Sequence, residues 1–191
     1  MKLGFVPLCL SVTLALAPLA PAIAQSNDAS DMSAEQLEQL FLKQKTRGLV
    51  IAPNTGKPDA MAETTTATTP TKTTYVELNK DEQVNVRISF DFDSAALRED
   101  QKPKLVTLCK VMKSADVNMF RIVGHTDSSG SASYNQKLSL LRAEEVKRYL
   151  VNDCGISGDR LQATGVGEDF LFNPDDPRGE ENRRVEFQAL S

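Results

Sequence analysis

The chain has 191 residues, a formal net charge of −4 at pH 7, one histidine and three cysteines. That length allows one domain with short additions. The acidic balance argues against a nucleic-acid partner, whose phosphates demand clustered Lys and Arg. A single histidine without a CxxC pair leaves nothing resembling a zinc set.

The opening residues, MKLGFVPLCLSVTLALAPLAPAIA, read as a secretory signal over 1–24. Lys2 supplies the positive start, Phe5 to Leu19 the apolar core, and Ala22-Ile23-Ala24 a small-x-small cleavage site. A membrane-spanning helix is the competing reading. Pro7, Pro18 and Pro21, and an apolar run short of the roughly 20 residues a span requires, argue against it. Cys9 lies inside the apolar core and Gln25 follows the cleavage motif, so no lipid anchor is expected.

Residues 25–74 form a biased region. Ser33-Ala34-Glu35-Gln36 has the form of a capping box, and Leu37, Leu40 and Phe41 recur at helical spacing. A helix that short is unstable alone. It either docks, on a partner or on the domain, or frays. After Pro53 comes a low-complexity stretch ending in TTTATTPTKTT, Thr64 to Thr74, with too few apolar side chains to offset the entropy of ordering; it reads as a flexible tether.

The pattern changes at Tyr75, where a domain over 75–191 begins. Val84, Val86, Ile88, Phe90 and Phe92 alternate with Asn85, Arg87, Ser89 and Asp91, which predicts a half-buried strand. Pro103 suits the first turn of a helix with an apolar stripe of Leu105, Leu108, Cys109 and Met112. Val117 to Val123 is a second strand, ending at Gly124. A second helix runs from about Ser133 to Val151, with Leu138, Leu141, Val146, Tyr149 and Leu150 on or near one face. Arg160 to Gly165 and Arg184 to Leu190 are further strands, separated by a polar loop from Phe170 to Asn182. The order βαβαββ predicts an α+β fold, a small mixed sheet with helices packed on one face. Cys109 and Cys154 are equally compatible with a disulfide and with buried thiols.

One cluster carries the chemistry: the lone histidine, a carboxylate, a small-residue loop and an arginine-bearing helix, in GHTDSSGSASYNQKLSLLRA, Gly124 to Ala143. A metal site lacks ligands, although Asp127 with Asp93 offers a hard cation two carboxylates. His125 as a base for Ser128 or Ser129 lacks a rigid frame; a residue that hydrogen-bonds its own loop is the plainer reading. A carboxylate pair of glycosidase type has no specificity from sequence. A ligand clamp accounts for more. Asn135, Leu138, Ser139 and Arg142 fall at i, i+3, i+4 and i+7 and share a helix face beside the loop bearing Asp127. A guanidinium grips a carboxylate through two parallel hydrogen bonds, and Asp127 accepts from an ammonium. The pair would suit a ligand with both groups on one carbon. A plain Asp127–Arg142 salt bridge is the competing arrangement.

From about Gln83 to Leu190 the chain resembles the OmpA-like, peptidoglycan-binding domain. The landmarks are Phe90-Asp91-Phe92-Asp93, Gly124-His125-Thr126-Asp127, Gly130, Tyr134-Asn135, Leu138-Ser139 and Arg142-Ala143. Gly165-x-Gly167-Glu168 and Asn182-Arg183-Arg184-Val185-Glu186 complete the set. The resemblance implies noncovalent binding of the diaminopimelate in the peptide stem of bacterial peptidoglycan, without catalysis, cofactor or metal. By position, Asp127 would receive the amino group and Arg142 the carboxylate. Asn135 and Thr126 would support the pocket, Asp91 to Asp93 would line it, and Arg183 or Arg184 would brace it.

Family members are often joined to an outer-membrane β-barrel or a lipidated cysteine. The roughly 50 residues ahead of this domain are too few for eight strands of about 9–11 residues. The expected location is the periplasm, at the cell wall and near the outer membrane, with an envelope partner recruited through the N-terminal segment. A cell-wall hydrolase and an interaction module acting through that segment are the alternatives.

Overall fold

The structure is a computed structural model that describes residues 28–48, 75–91 and 93–190. The segment read as a signal, the Thr-rich stretch Thr64 to Thr74 and Phe92 lie outside the described residues.

Four strands form one mixed sheet: β1 (Val84–Val86), β2 (Met119–Gly124), β3 (Leu161–Gly165) and β4 (Val185–Leu190). Their order is β1-β4-β2-β3. β4 runs antiparallel to both neighbours, and β2 and β3 are parallel. Helices α1 (Ala34–Gly48), α2 (Val106–Ser114) and α3 (Ala132–Asn152) complete the α+β layout, with βαβαββ order from β1 onward. Phe120, Ile122, Val185, Phe187 and Ala189 supply the sheet's side of the hydrophobic core, and Leu37, Phe41, Leu108, Met112, Val146 and Leu150 the helices' side.

The first strand is shorter than its alternation predicts. Val86 pairs with Val185, the first residue of β4, so the partner strand runs out there. Beyond it the backbone turns to side chains. The Ser89 N–H donates to Gln101 Oε1 at 3.1 Å, and Lys104 Nζ donates to the Arg87 carbonyl at 2.8 Å. The free edge of β1 is covered too, because the Ala29 N–H donates to the Asn85 carbonyl.

The α1 helix docks on the domain. Its capping box is closed both ways: the Ser33 N–H donates to Gln36 Oε1 and the Gln36 N–H to Ser33 Oγ. Leu37 and Phe41 are fully buried, and the Phe41 ring meets Phe120 of β2 edge-on at 5.0 Å. Gln44, one turn on, accepts from the Ala189 N–H and donates to the Glu82 carbonyl, both at 2.7 Å. A buried amide satisfied at both ends fixes the helix's position as well as its depth.

Pro103 sits in a 3₁₀ segment, Glu99–Leu105, that leads into α2. The expected stripe Leu105, Leu108, Cys109 and Met112 is buried. Cys109 on α2 is disulfide-bonded to Cys154 just beyond α3, with Cα atoms 5.8 Å apart. Closing a loop of that span typically stabilises a fold by about 2–4 kcal/mol.

The buried face of α3 differs from the expected one. Asn135, Ser139, Ala143, Val146, Tyr149 and Leu150 point inward, while Leu141 is 52% exposed. The reason lies in the sheet. Gly124 and Gly165 are register partners across β2 and β3. A Cβ on Gly124 would lie 2.0 Å from the Ser139 carbonyl oxygen, and one on Gly165 2.3 Å from the Leu140 nitrogen. Two glycines side by side let the helix backbone press onto the sheet, so its contact residues there are small and polar.

Candidate functional site

The loop after β2 is held from several sides. The His125 N–H donates to the Arg184 carbonyl, and the Thr126 N–H to the Gly167 carbonyl. The His125 ring is buried with its Nε2 3.2 Å from Glu186 Oε2. Because an ionised carboxylate only accepts, Nε2 carries the proton. Tyr75 Oη and Gln188 Nε2 donate to the same carboxylate. Burial lowers the His125 pKa, the Glu186 hydrogen bond opposes that less strongly, and the imidazole stays neutral. With Nε2 committed to a buried carboxylate, His125 is part of the frame.

Asp127 Oδ1 accepts from the Ser129 N–H at 2.8 Å, and its Oδ2 accepts from Arg183 Nη1 at 2.7 Å. Burial works against the charge, but Arg183 and Ser129 hold the carboxyl below the usual carboxylate range. The ion pair therefore joins Asp127 to Arg183 rather than to Arg142.

Ser131 caps α3 by accepting from the Tyr134 N–H, which fixes the first turn beside that loop. Asn135 is 2% exposed, and its Nδ2 donates to the carbonyls of Asp127 and Ser129 and to Glu168 Oε2. It shapes the loop from beneath. Thr126 is buried as well, and its hydroxyl has no hydrogen-bond partner among the described residues.

Arg142 is half-buried two turns along. Its guanidinium lies 4.6 Å from the Phe90 ring centroid, and its Nε donates to the Ser94 carbonyl at 3.3 Å. It makes no ion pair among the described residues. Burial lowers its pKa most; the charge of Arg183 lowers it further and that of Asp127 raises it. The two acidic residues of the β1 extension face elsewhere. Asp91 accepts from Arg98 Nη1, and Asp93, at φ 51°, accepts from the Tyr134 hydroxyl.

A cleft of about 220 Å³ opens between the segment that follows β1 and these arginines, lined by Arg87, Ile88, Ser89, Phe90, Arg142, Glu180 and Arg183. The structure brings Arg142 and Arg183 together on its wall, with Asp127 behind Arg183; Asp91 and Asp93 are not among its lining. Two lining residues carried no sequence signal: Arg87 sits on the polar side of an ordinary alternation, and Glu180 in a polar loop. Among the described residues, no group of three His, Cys, Asp or Glu side chains is placed to hold a metal ion. No helix among them is long and apolar enough to cross a membrane.

The model of the OmpA family matches residues 89–184. The chain belongs to the OmpA family. Outer membrane porin F of Pseudomonas aeruginosa is 40% identical over 86 residues, which cover 45% of this chain and 25% of that protein. Outer membrane protein A of Bordetella avium is 35% identical over 108 residues, or 56% and 55% of the two. The chain thus spans a quarter to a little over half of the length of these relatives. Among solved structures, the peptidoglycan-associated lipoprotein from Burkholderia pseudomallei is 28% identical, covering 53% of this chain and 86% of that one with a TM-score of 0.45. The cell wall anchor of the T6SS from Pseudomonas aeruginosa is 26% identical, with coverage of 56% and 79% and a TM-score of 0.48. The OmpA-family match takes in Asp127, Asn135, Arg142 and Arg183. It leaves out α1, Asp28 and, at the cleft, Arg87 and Ile88.

Proposed function

We propose that this chain binds peptidoglycan noncovalently, without catalysis, cofactor or metal, through the diaminopimelate of the stem peptide. Arg142 grips the side-chain carboxylate of diaminopimelate and Asp127 accepts from the ammonium on the same carbon. Arg183 keeps Asp127 ionised and braces it. Asn135 and Thr126 hold the loop, and Asp93 positions Tyr134 at the head of α3; Asp91 sits at the outer margin. The protein acts in the periplasm at the cell wall, after removal of residues 1–24, and links an envelope partner near the outer membrane to the wall.

The observation that carries this reading is Arg142. A half-buried guanidinium stacked on Phe90, without a carboxylate partner among the described residues, lines a cleft beside the ionised Asp127. A desolvated cation held open in this way is a receptor for a carboxylate. Family membership and the two envelope relatives support the same location. The interaction-module reading loses support, since α1 spends its apolar side, Leu37 and Phe41, on its own domain.

Sedimentation with two kinds of purified cell wall tests the reading. The protein should pellet with diaminopimelate-type peptidoglycan and stay in solution with lysine-type peptidoglycan, whose stem lacks the carboxylate assigned to Arg142. Equal pelleting with both would sink that assignment, and pelleting with neither would sink the function.

A further inference from the structure

We propose that Arg87 forms a second carboxylate subsite in the cleft and that Asp28, from the segment ahead of α1, positions it. The proposal rests on the peptidoglycan-binding reading and sharpens its specificity, from any diaminopimelate stem to one that ends there in a free carboxylate.

Arg87 lines the same cleft as Arg142 and Arg183, and its side chain is 51% exposed. Only one edge of its guanidinium is spent. Nε donates to Asp28 Oδ2 at 3.1 Å, while the Nη1 and Nη2 donors have no partner among the described residues. A guanidinium carries five N–H donors in a fixed fork, so it pairs with one carboxylate through Nε and keeps its far edge for another.

Asp28 is built to hold that position. Its side chain is 9% exposed, and its Oδ1 accepts from both the N–H and the hydroxyl of Ser30, at 3.0 and 2.6 Å. The Ala29 N–H next to it is bonded to the Asn85 carbonyl on the edge of β1. Burial opposes the Asp28 charge, but Ser30 and Arg87 outweigh it and its carboxyl sits below the ordinary range. The N-terminal segment is thus fastened to β1, which ends one residue before Arg87, and it orients a residue of the cleft wall.

The cleft then offers two cationic grips. One is Arg142, stacked against Phe90; the other is Arg87, more open to solvent. Diaminopimelate has a carboxylate at each end. When one occupies Arg142, the other lies along the chain, and it bears charge only where the stem stops at diaminopimelate and is not amidated. Neither Asp28 nor Arg87 lies in the span matched by the family model, so this grip is a feature of the present chain beyond that span.

Titration calorimetry of the full chain tests this with two synthetic tripeptides ending in diaminopimelate, one with a free terminal carboxylate and one amidated there. The unaltered chain should prefer the free carboxylate by about three- to fivefold, the size expected of a half-exposed ion pair. Arg87→Gln should bind both peptides with equal affinity, and Asp28→Asn should shrink the preference to about twofold. Equal affinity of the unaltered chain for the two peptides would overturn the proposal, as would a preference that survives in Arg87→Gln. Failure to bind either peptide would overturn the peptidoglycan reading itself, and this subsite with it.

Discussion

Arg183 donates to Asp127 Oδ2 at 2.7 Å, so the carboxylate assigned to a ligand ammonium already holds a guanidinium. The arrangement keeps Asp127 charged in a place where burial would otherwise favour its neutral form. Arg183→Ala should therefore raise the carboxyl pKa of Asp127, read from the NMR titration of its side-chain carbon. An unchanged pKa would mean that the Ser129 N–H alone maintains the charge.

Gly124 makes a second prediction. The Ser139 backbone occupies the space that any side chain there would need. Gly124→Ala should force α3 off the sheet and cost about 3 kcal/mol or more, near the upper end for overpacking, in urea unfolding. Gly158 is the control, since a Cβ there meets nothing closer than 3.7 Å. Gly158→Ala should be neutral or stabilising by up to about 1 kcal/mol.

Stability should fall on acidification, in two stages. His125 is the first: its pKa in the fold lies below its ordinary 6.5, chiefly through burial. As pH drops below 6.5 the unfolded chain takes up a proton that the fold resists, and stability is lost. Glu186 follows below its ordinary 4.5. Burial pushes its carboxyl up, but hydrogen bonds from His125, Gln188 and Tyr75 hold it down. Urea midpoints should be flat above about pH 7, decline below it, and steepen in the range where carboxylates titrate. His125→Asn should lack the upper part of that slope. A midpoint that stays level to pH 5 in the unaltered chain would contradict the burial of a neutral imidazole.

The docking of α1 gives a fourth test. Phe41 is fully buried against Phe120. Phe41→Ala should cost about 3–5 kcal/mol in a single unfolding transition, as for a core aromatic. A loss under about 1 kcal/mol would mean that the helix contributes little to the fold.

Much of this fold was legible in the sequence. Alternation, apolar runs and helical spacing located the four strands and three helices found among the described residues, because each element buries a face and its pattern records that burial. Two features escaped for a shared reason. The shortening of β1 depends on where β4 begins, and the inward turn of Asn135 and Ser139 depends on Gly124 meeting Gly165. Both are relations between distant segments, which no local pattern carries. The candidate site divides in the same way. Asp127 and Arg142 stood out as residue types in a recognisable order, with Arg183 and Arg184 as alternatives for the brace; in the fold Asp127 pairs with Arg183, and Arg183 and Arg142 line one cleft. The pairing of Asp127 with Arg183, the Phe90 ring beside Arg142, and the reach of Asp28 to Arg87 exist only once the chain has folded.

The central claim is that Arg142 is the carboxylate grip of a peptidoglycan-binding cleft. Its most direct test is sedimentation of the unaltered protein and Arg142→Ala with purified diaminopimelate-type sacculi, with circular dichroism to verify that both are folded. Losing one partner of a desolvated charged contact typically costs about 2–5 kcal/mol, or roughly thirtyfold or more in affinity. The account predicts that the unaltered protein pellets with the sacculi and the folded variant remains in the supernatant. Equal pelleting of the two would contradict it.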